Sequence, residues 1–146
     1  MALGKGQPAP DIAQKTFRGL LDQGPVLLAF YKVSCPVCQL TLPFLERLRG
    51  SSVQIVPVDQ DDTEAAAEFD AEFGTRTGHI DNEDSGFALS NAFGITHVPS
   101  MFLVEPSGSV TWTSTGFFKR ELEELAARAG KAIFRPGEKV PEAKSG

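Results

Sequence analysis

The stretch Val26-Leu27-Leu28-Ala29-Phe30-Tyr31-Lys32-Val33-Ser34-Cys35-Pro36-Val37-Cys38 decides how the chain reads. Val26 to Tyr31 is an unbroken apolar run after Pro25. A run without polar alternation reads as a central strand covered on both faces. The chain has two cysteines, and they sit three positions apart just beyond this run. Pro36 suits the first position of a helix, where its missing N–H would have no partner anyway. Cys35 is then the N-cap, with its sulfur facing the free N–H groups of Val37 and Cys38 at the positive end of the helix dipole. That environment favours the thiolate, the nucleophile of disulfide exchange. Cys38 lies one turn further on the same side and deeper in the helix. The expected roles are attack by Cys35 and resolution by Cys38.

Beyond the cysteines, Leu40, Leu42, Phe44, Leu45 and Leu48 suit a helix ending near Gly50, kinked by Pro43. Val53 to Asp59 reads as a second strand, with Pro57 near its end or facing away from a partner. Asp62 to Phe73 reads as a helix stopped by Gly74. A short edge strand around Thr77 to Ile80 and a helix from Ser85 to Phe93 follow. Ser100 to Val104 is a third strand, opened by Pro99. Glu105-Pro106-Ser107-Gly108 is a turn, and Val110 and Trp112 alternate with threonines as in a half-buried antiparallel strand. A last helix spans about Phe118 to Ala129. Strands alternating with helices imply an α/β domain with a central mixed sheet flanked by helices. Residues 1–135 are read as one domain and residues 136–146, rich in Pro, Gly, Lys and Glu, as a disordered tail.

The 146 residues fit one domain of this size. A net charge of -5 disfavours nucleic acid and anionic membranes as partners. No apolar run is long enough to span a bilayer. Met1 to Asp11 lacks an apolar signal core, so the chain as it stands reads as cytoplasmic. An extracytoplasmic, periplasmic location is the alternative if an export signal has been removed.

Other readings of the cysteine pair compete. A structural disulfide at this spacing closes a very small loop and removes little chain entropy. A zinc site needs four ligands, and only His79 and His97 remain, at no finger spacing. Two ordinary buried thiols are the third possibility.

The arrangement from Val26 through Ser34-Cys35-Pro36-Val37-Cys38 to Pro43 resembles the thioredoxin superfamily. The likeness resumes at Phe93-Gly94-Ile95-Thr96-His97-Val98-Pro99-Ser100, which is similar to the segment carrying the family's cis-proline. It continues through the turn at Glu105 to Gly108 and through Gly116, covering most of residues 20–130. The long stretch between Asp59 and Phe93, together with Gly6-Gln7-Pro8-Ala9-Pro10-Asp11, resembles the TlpA/ResA or redoxin branch. That branch carries an extra strand–helix unit between the second strand and the proline loop. The resemblance implies reduction of protein disulfides, a redox partner protein that supplies electrons, a monomer, and no metal or organic cofactor. It implies that Pro36, Val37, Val98 and Pro99 line the substrate site, with Tyr31 as an aromatic wall, and that Pro99 is cis.

The departures from the family pattern are specific. Its buried aspartate, six positions before the first cysteine, is Ala29 here, and the lysine that pairs with it falls on Ile55. The tryptophan before the first cysteine is Ser34. A proton acceptor for Cys38 is therefore missing from the expected place. The peroxiredoxin threonine, three positions before the reactive cysteine, is Lys32. A redoxin-like thiol peroxidase and a non-catalytic thioredoxin-fold binding module remain the alternative functions. His97 and His79 read as solvated residues, although His97 lies on the proline loop.

Overall fold

The computed structural model describes residues 2–146. Its organising element is β1 (Val26–Tyr31), buried along its whole length. β2 (Gln54–Asp59) runs parallel beside it on one side, and β4 (Ser100–Val104) runs antiparallel on the other. β3 (His79–Ile80) and β5 (Val110–Thr115) complete a five-stranded mixed sheet of order β3-β2-β1-β4-β5. Strand side chains alternate between the two faces. Leu27, Ala29 and Tyr31 therefore enter one core, with Leu42, Leu45, Leu122 and Leu125. Val26, Leu28 and Phe30 enter a second, with Phe17, Leu21, Leu89 and Phe93. The first core lies under α3 (Pro36–Glu46) and α6 (Lys119–Ala129). The second lies under α1 (Asp11–Thr16), α2 (Arg18–Leu21) and α5 (Ala88–Phe93). This is the α/β architecture expected, with helices on both faces of the sheet. None of the helices is long and apolar enough to cross a membrane, among the described residues.

Pro57 sits within β2, opposite Ala29. Its carbonyl accepts from the Gly78 N–H on the β3 side. The N–H it lacks would point to that same side, upstream of where β3 begins, so no ladder bond to β1 is lost.

The inserted unit consists of α4 (Thr63–Phe73), β3 and α5. Asp62 caps α4 by accepting from the Ala65 N–H at 2.8 Å, and Gly74 ends it with φ +70°. The helix expected from Ser85 to Phe93 is split. A 3-10 turn covers Glu83–Ser85, Phe87 takes φ +51°, and α5 starts at Ala88. The break is set by buried Asp81, which follows β3 directly. Its carboxylate accepts from the N–H groups of Leu89 (3.0 Å) and Ser90 (2.7 Å) and from the Ser90 hydroxyl (2.6 Å). One side chain thus satisfies the open start of α5 and ties it to the sheet edge. His79, read from sequence as a solvated residue, is half-buried in β3, its ring edge-on to Phe17 at 5.4 Å between centroids.

Residues 136–146, expected to be disordered, follow a defined path in the structure. Arg47 holds Glu138 through two bonds of 2.7 and 2.9 Å, and Val140 packs against the first core. β7 (Ala143–Lys144) then pairs antiparallel with β6 (Phe117–Phe118). A composition poor in apolar residues signals weak burial, and here main-chain pairing and the ion pairs Arg47–Glu138 and Lys119–Glu142 take its place.

Removing the Asp81 carboxylate leaves buried donors without acceptors, so Asp81→Ala should lower stability by about 3 kcal/mol. A shift of the urea midpoint at unchanged slope is the expected readout; an unshifted midpoint would show that α5 is held by its apolar contacts alone.

Candidate active site

Three strand ends meet at one edge of the sheet. The registers Tyr31↔Asp59 and Phe30↔Ser100 place the loop after β1, the loop after β2 and the loop before β4 side by side. The loop after β1 is fixed on both flanks. The Val33 N–H donates to Asp61 Oδ2 at 2.8 Å, and Gln39 Nε2 donates to the Val33 carbonyl at 2.9 Å. The Cys35 N–H closes the turn onto the Lys32 carbonyl at 3.2 Å.

Cys35 is the N-cap of α3, with extended backbone (φ -82°, ψ 116°) and Pro36 at the first helical position. Its sulfur accepts from the Cys38 N–H at 3.3 Å. Such a cap directs an unpaired helix-end donor at the sulfur. On its other side the Cys35 thiol donates to the Val98 carbonyl at 3.6 Å. The Val98–Pro99 bond is cis. Both cysteines are free thiols. Cys35 is half-buried and Cys38 fully buried, so a partner can reach the first sulfur and not the second. Pro36 is exposed and Val37 half-exposed at the rim, Val98 is half-buried and Pro99 buried. Pro43 interrupts the hydrogen bonding of α3 past the cysteines.

Tyr31 is not part of this surface, and the expectation of an aromatic wall is corrected. Odd positions of β1 point into the core under α3 and α6, so the Tyr31 ring is buried against Phe69 at 4.8 Å. Its hydroxyl bonds Thr77 Oγ1, which in turn donates to Asp70 Oδ1 at 3.0 Å. Burial pushes the phenol well above its ordinary range, so Tyr31 is a neutral structural bridge to the inserted unit. His97 is exposed, its ring pairing with the hydroxyl of its neighbour Thr96 at 3.0 Å and its carbonyl accepting from the Ser100 hydroxyl at 2.6 Å.

Burial also pushes the Cys38 thiol up, and the Asp61 charge adds to the effect. Desolvation penalises the charged form of any acid. Cys38 therefore holds its proton firmly in this state. The positions that carry charge in related patterns, Ala29 and Ile55, are apolar and buried. The acids stand instead at the end of β2. Asp59 is buried opposite Tyr31, accepts from the Asp61 N–H on Oδ1, and leaves Oδ2 without a partner among the described residues. Desolvation raises its carboxyl to about 6. These two aspartates were missed in the sequence. Two acids flanking Gln60 at the carboxyl end of a buried strand were the available signal.

A family model described as a thioredoxin-like domain matches residues 13–131. The chain belongs to the thioredoxin-like family. The thiol-disulfide oxidoreductase ResA of Halalkalibacterium halodurans is 26% identical over 109 residues, covering 71% of this chain and 61% of ResA. The chain thus spans about three-fifths of that relative's length. Among solved structures, the thioredoxin domain of a Bacteroides vulgatus thiol-disulfide oxidoreductase superposes with a TM-score of 0.70 at 17% identity, covering 87% of this chain and 98% of that one. StoA from Bacillus subtilis gives a TM-score of 0.58 at 21% identity, with 71% and 83% covered. Both structural likenesses bear on the fold.

A carboxyl with a raised folded value binds protons more readily folded than unfolded. Asp59 therefore favours folding below its ordinary value of about 3.8, and this advantage is lost as pH rises through about 6. Asp59→Asn should remove that slope and stabilise the protein at pH 7 by up to about 3 kcal/mol, the free energy of a shift of this size. Urea midpoints at pH 4.5 and 7 measure it; parallel pH curves for both proteins would refute it.

Proposed function

We propose that this thioredoxin-like chain is a thiol–disulfide oxidoreductase that reduces protein disulfides through Cys35 and Cys38. The observation that carries the reading is the capped sulfur of Cys35, half-exposed between the Cys38 N–H and the Val98 carbonyl. The name of the similar ResA agrees with it.

In the proposed cycle the Cys35 thiolate attacks one sulfur of a substrate cystine. A Cys35–substrate disulfide forms, and the other substrate sulfur leaves as a thiolate that takes a proton from water. Cys38 then gives up its proton to solvent or to a carboxylate at the end of β2, and its sulfur attacks Cys35 Sγ. The Cys35–Cys38 disulfide forms as the second substrate thiolate departs. Two electrons pass from the dithiol to the substrate, and a reduced partner protein restores the dithiol. The second attack is intramolecular, so it is fast despite the raised Cys38 thiol.

If these roles are correct, Cys38→Ser should accumulate covalent complexes with disulfide-bearing proteins, because serine cannot clear the mixed disulfide. Cys35→Ser should accumulate none. Non-reducing electrophoresis after acid quenching reads both. Equal bands from the two variants would reverse or abolish the assigned roles. Absence of bands from a reduced, alkylatable Cys38→Ser chain would favour a thiol peroxidase or a non-catalytic binding module.

A further inference from the structure

Residues 142–146 reach the proline loop of the proposed active site. After the Arg47–Glu138 clamp, the Glu142 carbonyl accepts from the Lys119 N–H at 3.0 Å. Lys144 and Ala143 then face Phe117 and Phe118 in antiparallel register. Gly116, just before β6, has φ +87° and lies so close that a Cβ there would sit 2.7 Å from the Lys144 carbonyl oxygen. The Gly116 N–H donates to the Pro99 carbonyl at 2.8 Å, which joins β6 to the proline loop. The strand therefore leads directly to that loop. Gly146 rests on the Val98 carbonyl oxygen so tightly that any Cβ would collide with it, and that Cβ would stand 3.3 Å from Pro99 Cδ. The same Val98 oxygen is the acceptor of the Cys35 thiol.

An extended segment thus lies along the edge of β6 and reaches the carbonyl that accepts from the Cys35 thiol. Residues 142–146 are all exposed, so main-chain bonds hold them rather than buried side chains. Added strands bind peptides in this way, with main-chain bonds giving affinity and close contacts giving specificity. A strand with so little burial is also displaced easily.

We infer that Glu142–Gly146 is a tethered occupant of the strip where an extended substrate peptide binds, antiparallel to β6, and that substrate must displace it to reach Cys35. The inference rests on the function proposed above and extends it to the form of the substrate. The displacing peptide is extended, and it carries glycine where its main chain passes the Val98 carbonyl. Small disulfides that need no strip reach Cys35 with the tail in place.

The Lys119–Glu142 bond marks that residue pair as a hydrogen-bonded one, and alternation makes Phe117–Lys144 the next. Lys144→Pro removes a donor from that pair, while Gly146→Val forces the end of the tail off Val98. These two full-length variants act by different means. For a disulfide-bearing extended peptide, both should lower KM by about tenfold at unchanged kcat, as expected for loss of a competitor at high effective concentration. The rate with 2-hydroxyethyl disulfide should not change. A labelled cysteine-free peptide of sequence Val140–Gly146 should bind the Lys144→Pro chain and not the wild type, by fluorescence anisotropy. Equal KM in all three chains, an equal gain for both disulfides, or no peptide binding to the Lys144→Pro chain would each overturn the inference. Absence of exchange with either disulfide in every chain would instead refute the proposed function, and the binding measurement would still decide whether the tail occupies the strip.

Discussion

A strand buried on both faces can release its chain to solvent only at its ends, and this constraint on β1 organises the molecule. Its last residue, Tyr31, is still inside the core, so the loop that follows must turn at once and start a helix. Cys35 becomes the cap of that helix because Pro36 cannot donate there. The neighbours of β1 bring their own ends to the same place. Parallel β2 delivers its carboxyl end, with Asp59 and Asp61, and antiparallel β4 delivers its amino end, with Val98 and Pro99. Cysteine, carboxylate and carbonyl meet because of strand direction. In open α/β sheets, ligands gather at such strand ends for the same reason.

The charge in this site is arranged differently from the family pattern read in the sequence. Ala29 and Ile55 fill the positions where that pattern carries an acid and a base. The apolar pair lets the centre of the sheet close without a buried ion, whose desolvation would cost several kcal/mol. The acids stand instead at the carboxyl end of β2. Asp61 holds the Val33 N–H and presses on the Cys38 thiol, while Asp59 keeps one oxygen without a partner among the described residues. Asp61 therefore both shapes the loop and raises the thiol of the second cysteine.

What could be read in advance follows from how local each signal is. The apolar run of β1, the proline after Cys35 and the glycine after Phe73 act within a few residues, and each stands where its chemistry requires. α1 and α2 passed unread because they span six and four residues, with Pro10 and Phe17 as caps that make no side-chain bond. Tyr31 was misplaced because an unbroken apolar run does not say which helix layer covers which face. The break at Phe87 depends on Asp81 reaching across from the sheet edge, a tertiary contact with no local signature. The path of residues 136–146 depends on Arg47, far away in sequence. Composition registered only how little apolar surface the segment could bury.

The Arg47–Glu138 clamp has a consequence for how the chain would respond to its surroundings. Two charge-assisted bonds, with help from the Arg135 N–H, hold the Glu138 carboxyl down at about 2. It stays ionised at the acidity of any ordinary cellular compartment, so acidification would not unfasten it. The attachment is a hinge pin whose grip is indifferent to protons and sensitive to salt, since the pair lies near the surface. Beyond the pin the chain is free to trade one neighbour for another without losing its place.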